Sequence, residues 1–375
     1  MIAVTIDSPN LDLGPAWDDL VRRASSNVFM NPAALVAAAE TGFARIRVLQ
    51  AWQQEQGSDE RKLVGVWALQ MRKFMPFWPV ILEALPYAYS FLSSPVVDPA
   101  CAEDVVAAFL AAIGKSPLPK ILSLPQFDAE GPVYAAMRKA LAGRSTEPLI
   151  VTELARPYVT RESGVKRSGS TRKKLRQDWN RLSALGTVEI VNDRTPDGVA
   201  RAFEAFLVLE QASWKGARGT ALLSDSNDAA FVRQLLQQLA VRKDASVAQL
   251  RVNGEVIAAQ VLMYCGQTAY TWKTAYDVAF AKYSPGALLV DKITDELLAG
   301  SDIAAVNSCA AESSFMGQLW AGRRAMADML IDIGPRKSLG FRIEALRLTG
   351  YQRLRALRDR VRHRPAAPKK IGAVA

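Results

Sequence analysis

Histidine is almost missing from this chain: among its 375 residues the only one is His363. It stands in a basic tail beyond the last apolar segment, which argues against a Ser/His/Asp triad, a histidine metal site or a histidine general base in the core. Cysteine is nearly as scarce. Cys101, Cys265 and Cys309 lie far apart with no CxxC spacing, so neither a zinc site nor a disulfide framework is expected, and all three read as buried thiols. No apolar run approaches the ~18 residues of a membrane-spanning helix. The first residues, Met1 to Asp7, lack the basic start and apolar run of a signal peptide, so a cytoplasmic protein is expected.

The chain exceeds the ~100–200 residues of a typical domain, and half of its residues are apolar, enough for two cores. Its net charge of +10 is concentrated. Arg336 to Lys370 holds twelve Lys or Arg against Glu344 and Asp359, and Arg161 to Arg181 holds eight against Glu162 and Asp178. The rest is acidic. Because the excess charge lies in the tail and does not form the interleaved aromatic pattern of a single-strand platform, nucleic acid is not expected as the main partner.

Alternation and short apolar runs give a mixed α/β reading of the first ~150 residues, with strands at 45–52, 62–71 and 121–124 and helices at 102–113 and 132–141. A polar linker, 161–170, leads into a basic helix over 171–185. Then come a strand at 188–191, helices over 195–214 and 227–241, and strands at 246–252, 256–264 and 268–275. Asn253-Gly254 and Gly266-Gln267 form the hairpin turns between these last three. A helix over 285–298, a strand at 303–307, a short helix at 315–320 and a strand at 326–333 complete the series.

The most informative segment joins the 268–275 strand to the 285–298 helix. Ser284 suits an N-cap and Pro285 the first helical position. The amides of Gly286, Ala287 and Leu288 are then free to face a phosphate, with the helix dipole behind them and Lys282 beside them. The alternative is an ordinary capped helix.

This order of segments resembles the GNAT acyltransferases. More narrowly, Leu209 to Gly216, Tyr276-Asp277 and Tyr283-Ser284-Pro285-Gly286 resemble the motifs of the CelD-like (BioF-two-like) acetyltransferases, distant relatives of the FemABX peptidyltransferases. The basic helix Arg172 to Trp179 matches that family's lead-in, and the likeness covers about 172–333. It departs at the phosphate signature, where Lys282-Tyr283-Ser284-Pro285-Gly286-Ala287 carries proline in place of the first glycine. The resemblance implies an α+β fold of two tandem GNAT-like domains, a degenerate one over 1–160 and a catalytic one over 161–335, with a basic helix and tail over 336–375. It also implies acetyl-CoA or another acyl-CoA as donor, and a small-molecule or saccharide acceptor such as a sugar nucleotide, polysaccharide precursor or amino compound.

Acyl transfer from a thioester needs the acceptor deprotonated and the oxyanion stabilised. The family's splayed fourth strand places the oxyanion donor among the amides of Thr271 to Thr274. Glu210 is the first candidate base, sharing a helix side with Trp214 and Lys215 at the acceptor site; the plain alternative is a solvated face with Trp214 as a core anchor. Asp277 is either a second base or a turn former. Lys273, odd in a strand, either faces a cleft or extends to solvent. Tyr283 is a general acid for the thiolate or a core residue. Trp320 and Arg323 echo family positions, with Arg323 pairing either a phosphate or Glu312.

The helix near Arg172 binds an anion or is a solvated interdomain helix, the latter preferred. Ile343, Leu346, Leu354, Leu357 and Val361 form a stripe between arginines, as in a helix lying on a membrane or docking on the protein's own body. Two rivals remain. One is a FemABX-like transferase whose donor is charged tRNA, with steep salt dependence at Arg172. The other is a non-catalytic accessory protein of polysaccharide (cellulose) biosynthesis.

Overall fold

The computed structural model describes residues 2–54, 60–142, 147–166 and 168–362. Its strands are β1 (Ile2–Asp7), β2 (Ile46–Gln54), β3 (Arg61–Lys73), β4 (Val80–Glu83), β5 (Val96–Val97), β6 (Ile121–Asp128), β7 (Leu149–Thr160), β8 (Val188–Val191), β9 (Ala245–Val252), β10 (Glu255–Cys265), β11 (Thr268–Tyr276), β12 (Ala305–Asn307) and β13 (Arg323–Asp332). The helices are α1 (Gly14–Val21), α2 (Pro32–Glu40), α3 (Ala102–Lys115), α4 (Pro132–Leu141), α5 (Ser170–Ser183), α6 (Pro196–Ala212), α7 (Trp214–Ala217), α8 (Ser226–Val241), α9 (Pro285–Ala299), α10 (Phe315–Leu319) and α11 (Leu339–Arg362).

The strands form one mixed sheet in the order β1-β2-β3-β4-β6-β13-β7-β12-β11-β10-β9-β8, with β5 paired to β3. Among the described strands, only β4 with β6 and β11 with β12 run parallel. The fold is thus α/β with a mostly antiparallel sheet flanked by helices. Hairpin β9–β10 turns on Asn253 and Gly254 with φ of 51° and 84°, the left-handed pair that a tight type I′ turn requires.

Side-chain alternation directs two cores to the two faces of the second half of the sheet. Val247, Val261, Met263, Tyr270 and Trp272 pack with Phe203, Phe206 and Phe231 of α6 and α8. Leu250, Leu262, Tyr264 and Ala269 pack with Leu175, Leu288, Leu289 and Ile293 of α5 and α9. The first core also takes in the helices before residue 142, and Phe43 stacks on Phe231 at 4.2 Å.

The strand expected at 326–333 does not pair with its neighbours in sequence. β13 lies between β6 and β7, both from the first part of the chain, while the last three residues of β7 pair with β12. β7 itself drew no strand expectation. Its charges, Glu153 and Arg156, its proline, Pro157, and its exposed Ile150 and Leu154 blur the alternation.

α11 docks through Phe341, Ala345 and Leu348 against Ile81, Ile121, Leu149 and Leu330. The docked face is not the expected stripe, since Leu346 and Leu354 point outward. The side chains of Leu357 and Val361, and all of His363, lie outside the described residues. Cys265 and Cys309 are buried as expected, whereas Cys101 is half-buried. Among the described residues, no helix is long and apolar enough to cross a membrane.

Candidate functional site

The site begins where β11 leaves its neighbour. β11 and β12 pair only from Thr268–Ala305 to Tyr270–Asn307. Beyond that the Thr271 hydroxyl holds them together, donating to the carbonyls of Asn307 at 3.3 Å and Ser308 at 3.1 Å. On the other edge the β10 register skips at Trp272, a bulge that turns the strand. Among the described residues, no strand lies beside the β12-facing edge from Trp272 to Tyr276. That open edge takes in most of the stretch, Thr271 to Thr274, in which the family resemblance puts the oxyanion amides, although Thr271 itself serves as a strand tie.

At the end of β11 the Asp277 carboxylate accepts from Ala279 N–H at 2.8 Å and shapes a 3-10 turn over Val278–Tyr283. This is the turn-former reading of Asp277. Ser284 then takes a left-handed backbone, φ 52° and ψ 47°, and makes no side-chain cap, correcting the expected N-cap. Its hydroxyl instead accepts from Lys174 Nζ at 2.6 Å.

The first helical bond of α9 runs from Leu288 N–H to Ser284 C=O at 3.0 Å, so the Leu288 amide is spent internally. Only the amides of Gly286 and Ala287 lack an intrahelical acceptor. Gly286 sits close under the strand: a Cβ there would meet Tyr276 Cδ1 at 3.3 Å and Thr274 Cγ2 at 3.5 Å.

Cations ring this corner. Lys282 is exposed, with its Nζ 5.1 Å from the Tyr283 ring, and the Arg181 guanidinium lies 5.5 Å from the same ring. Tyr283 is buried beside Phe280 in the core under α9, which is its packing alternative. Lys174 and Arg181 come from α5, which sequence reasoning preferred as a solvated helix. It is anchored instead: Leu175 and Leu182 are buried, and Arg172 makes a two-pronged bond to Asp291 of α9 at 2.6 and 2.7 Å. A positive charge four residues into that helix was visible in sequence; its approach to the turn was not.

Glu210 closes α6 and is fully buried. One oxygen accepts from Lys215 Nζ at 2.9 Å and the other from Leu222 N–H at 2.9 Å, while Lys273 Nζ stands 3.8 Å away. A carboxylate so buried, with a hydrogen bond on each oxygen, holds two cations in place and is not reached by an acceptor arriving from solvent. Lys273 faces inward over the Tyr89 and Trp272 rings at 4.7 and 5.4 Å. Burial lowers its pKa below the usual lysine value, against the opposing pull of Glu210. Trp214 is 57% exposed, with Arg218 over its ring, so it is no core anchor.

Trp320 and Arg323 stand apart from this group. Trp320 is wholly buried, which removes it from any surface an acceptor touches. Arg323 is consumed locally, pairing with Glu312 at 3.2 Å and donating to the carbonyls of Gly317, Trp320 and Gly322.

A cavity of about 840 Å³ was not foreseen and contains no residue of the turn before α9. Tyr270 and Asn307, the last paired residues before β11 and β12 part, line it, with Tyr158, Asp128, Arg324 and Ser26. Arg324 clamps Asp128 at 2.6 and 2.9 Å. Its cross-strand partner Arg156 is buried, with Nη1 unpartnered among the described residues. The cavity is built by β6, β7, β11, β12 and β13, strands far apart in sequence, and no local pattern announces it.

Residues 169–312 match the family model described as "Acetyltransferase (GNAT) domain". Over those residues, somewhat more than a third of its length, the chain is similar to that acetyltransferase family. It is therefore read as a transferase. No curated protein matches the sequence at a significant level. Among solved structures it is similar to FemX, with 12% identity over 86% of this chain and 96% of that one and a TM-score of 0.59. L-PGS from Bacillus licheniformis shares 14% identity over 92% and 98%, at 0.53. The C-terminal domain of a lysylphosphatidylglycerol synthetase from Agrobacterium fabrum shares 15% over 91% and 95%, at 0.52. At such identities the likeness is one of fold, and it extends over both parts of the chain.

Proposed function

We propose that this protein is a cytoplasmic, CelD-like acyltransferase that moves an acyl group from acyl-CoA to the amine or hydroxyl of a polar acceptor, such as a sugar nucleotide, polysaccharide precursor or amino compound. The observation that carries this reading is the continuity of the open β11 edge with the free amides of Gly286 and Ala287. A thioester supplies an acyl group already activated toward attack. On this reading the two amides, with Lys282, Lys174 and Arg181 around them, hold the pyrophosphate of the carrier. The main-chain edge from Trp272 to Tyr276 hydrogen-bonds its amide-bearing arm.

The acceptor enters through the cavity lined by Tyr158, Asp128 and Arg324 and meets the acyl group where β11 and β12 part. Lys273, fixed by Glu210, supplies positive charge beside the developing oxyanion, a class of contribution typically worth about 3–4 kcal/mol of barrier. Glu210 acts here through Lys273 and Lys215, as a positioning residue. Trp214, exposed beside Lys215, is the remaining candidate for acceptor contact.

Calorimetric titration with acetyl-CoA, of wild type beside Gly286→Asp, tests the donor site. The added carboxylate repels phosphate and crowds Tyr276, so binding heat is expected to vanish in the variant. Equal heats from both proteins would remove the turn from the reading. The fold shared with FemX favours a second reading, aminoacyl transfer from charged tRNA. In that case acetyl-CoA gives no heat, and tRNA binding weakens steeply with salt through Lys173 and Arg176 of α5.

A further inference from the structure

The β3–β4 hairpin ends in Phe74-Met75-Pro76-Phe77-Trp78-Pro79, a tip with four large apolar side chains where a short hairpin ordinarily carries turn-forming polar residues. Phe77 is 102% exposed, Phe74 59% and Met75 48%. The tip is not loose. Trp78 Nε1 donates to Glu344 of α11 at 2.9 Å, Arg347 of α11 lies 4.6 Å from the Phe74 ring, and Pro79 packs against Gly340.

Beside it, α11 presents the face opposite its docked one. Leu339, Leu346, Gly350 and Leu354 recur at helical spacing along that face, and Leu339, Leu346 and Leu354 are all more than two-thirds exposed. Arg342 and Arg353 border this stripe on one side, Arg347 and Arg358 on the other. Glu83 of β4 and Glu344 of α11 are buried and paired with Arg72 and Arg347. Outward, the patch is apolar at its centre and cationic at its rims.

We propose that the hairpin tip and the outer face of α11 together dock this protein on an anionic bilayer, with Phe77, Met75 and Phe74 entering the acyl boundary and Arg342 and Arg353 meeting lipid phosphates. A second copy of the chain fits less well, because a two-fold contact through this patch would set arginine against arginine. A lipid surface matches both the apolar centre and the charge of the rim. The docking goes beyond the acyl-transfer reading and stands or falls separately from it.

The test is co-sedimentation of the full chain with vesicles of phosphatidylcholine alone or mixed with phosphatidylglycerol, at low and high salt. Wild type is expected to bind the mixed vesicles, to lose that binding at high salt and to ignore neutral ones. The double variant Phe77→Ser, Met75→Ser removes one wholly exposed and one half-exposed side chain at the hairpin tip, so its melting temperature should stay close to wild type while its vesicle binding falls roughly tenfold. Arg342→Gln with Arg353→Gln should weaken binding similarly. The proposal is overturned by equal partition of wild type and the tip variant, by equal binding to neutral vesicles, or by a concentration-dependent dimer that the tip variant abolishes.

Discussion

Glu210 shows how burial decides the role of a residue. With two lysines and an amide on its carboxylate, its removal leaves cations facing each other across a dry pocket. Glu210→Ala is expected to cost about 3 kcal/mol of stability, read from urea unfolding. A residue acting only as a proton acceptor in an open cleft would lose activity with stability unchanged. Lys273→Met should keep the fold and lower kcat by about 150- to 900-fold, with KM for the donor little changed, in steady-state assays once an acceptor is found.

Asp244, next to β9, makes a pH prediction. It accepts from Asn31 at 3.3 Å, and burial pushes its carboxyl up to about 6, against the opposing pull of Arg242 and the Asn31 hydrogen bond. A raised carboxyl binds its proton more tightly in the folded state than in the unfolded one. Its charge therefore costs nothing below pH ~4, costs progressively more up to pH ~6, and holds that cost above. Asp244→Asn should leave stability unchanged near pH 4 and raise it by about 1–2 kcal/mol at pH 8, after allowance for partial exposure. Chemical denaturation at the two pH values checks both halves; a stabilisation larger at pH 4 would contradict the assignment.

Among the elements, α5 illustrates the limit of reading a charged helix by composition. Its run of lysines and arginines looks solvated, and most are. The few that matter point the other way: Arg172 is fixed on Asp291, and Lys174 reaches Ser284. Removing Arg172 leaves Asp291, 4% exposed, without its cation. Arg172→Ala should cost about 3 kcal/mol and also weaken acetyl-CoA binding, since α5 carries Lys174 and Arg181 to the helix start. Urea unfolding and titration calorimetry on one variant measure both effects, and unchanged affinity beside lowered stability would detach α5 from the donor site. By contrast α9 was readable throughout, because Pro285 opens it and its apolar spacing is regular.

For the molecule as a whole, the exchange of β7 and β13 dominates. β13 completes the sheet of the first part, and β7 gives β12 its outer neighbour. Residues 161–362 expressed alone would leave β12 without its β7 partner and β13 without either neighbour, an invitation to aggregate. That fragment is expected to be insoluble or to lack a cooperative transition, and co-expression with 1–160 should restore both. A fragment melting sharply on its own would show that β13 is dispensable to the second part.

By itself the sequence determined the class of fold, the β9–β10–β11 meander, the helices α3, α4, α6, α8 and α9, and the proline that opens α9, because each rests on local periodicity or on a turn residue whose backbone preference is intrinsic. Tertiary structure alone decided where β7 and β13 pair, that Glu210 is a spent carboxylate, that Trp320 is core, and that a cavity opens where β11 and β12 separate. Those outcomes depend on which distant strands share hydrogen bonds and which side chains lose water, and neither quantity is carried by neighbours along the chain.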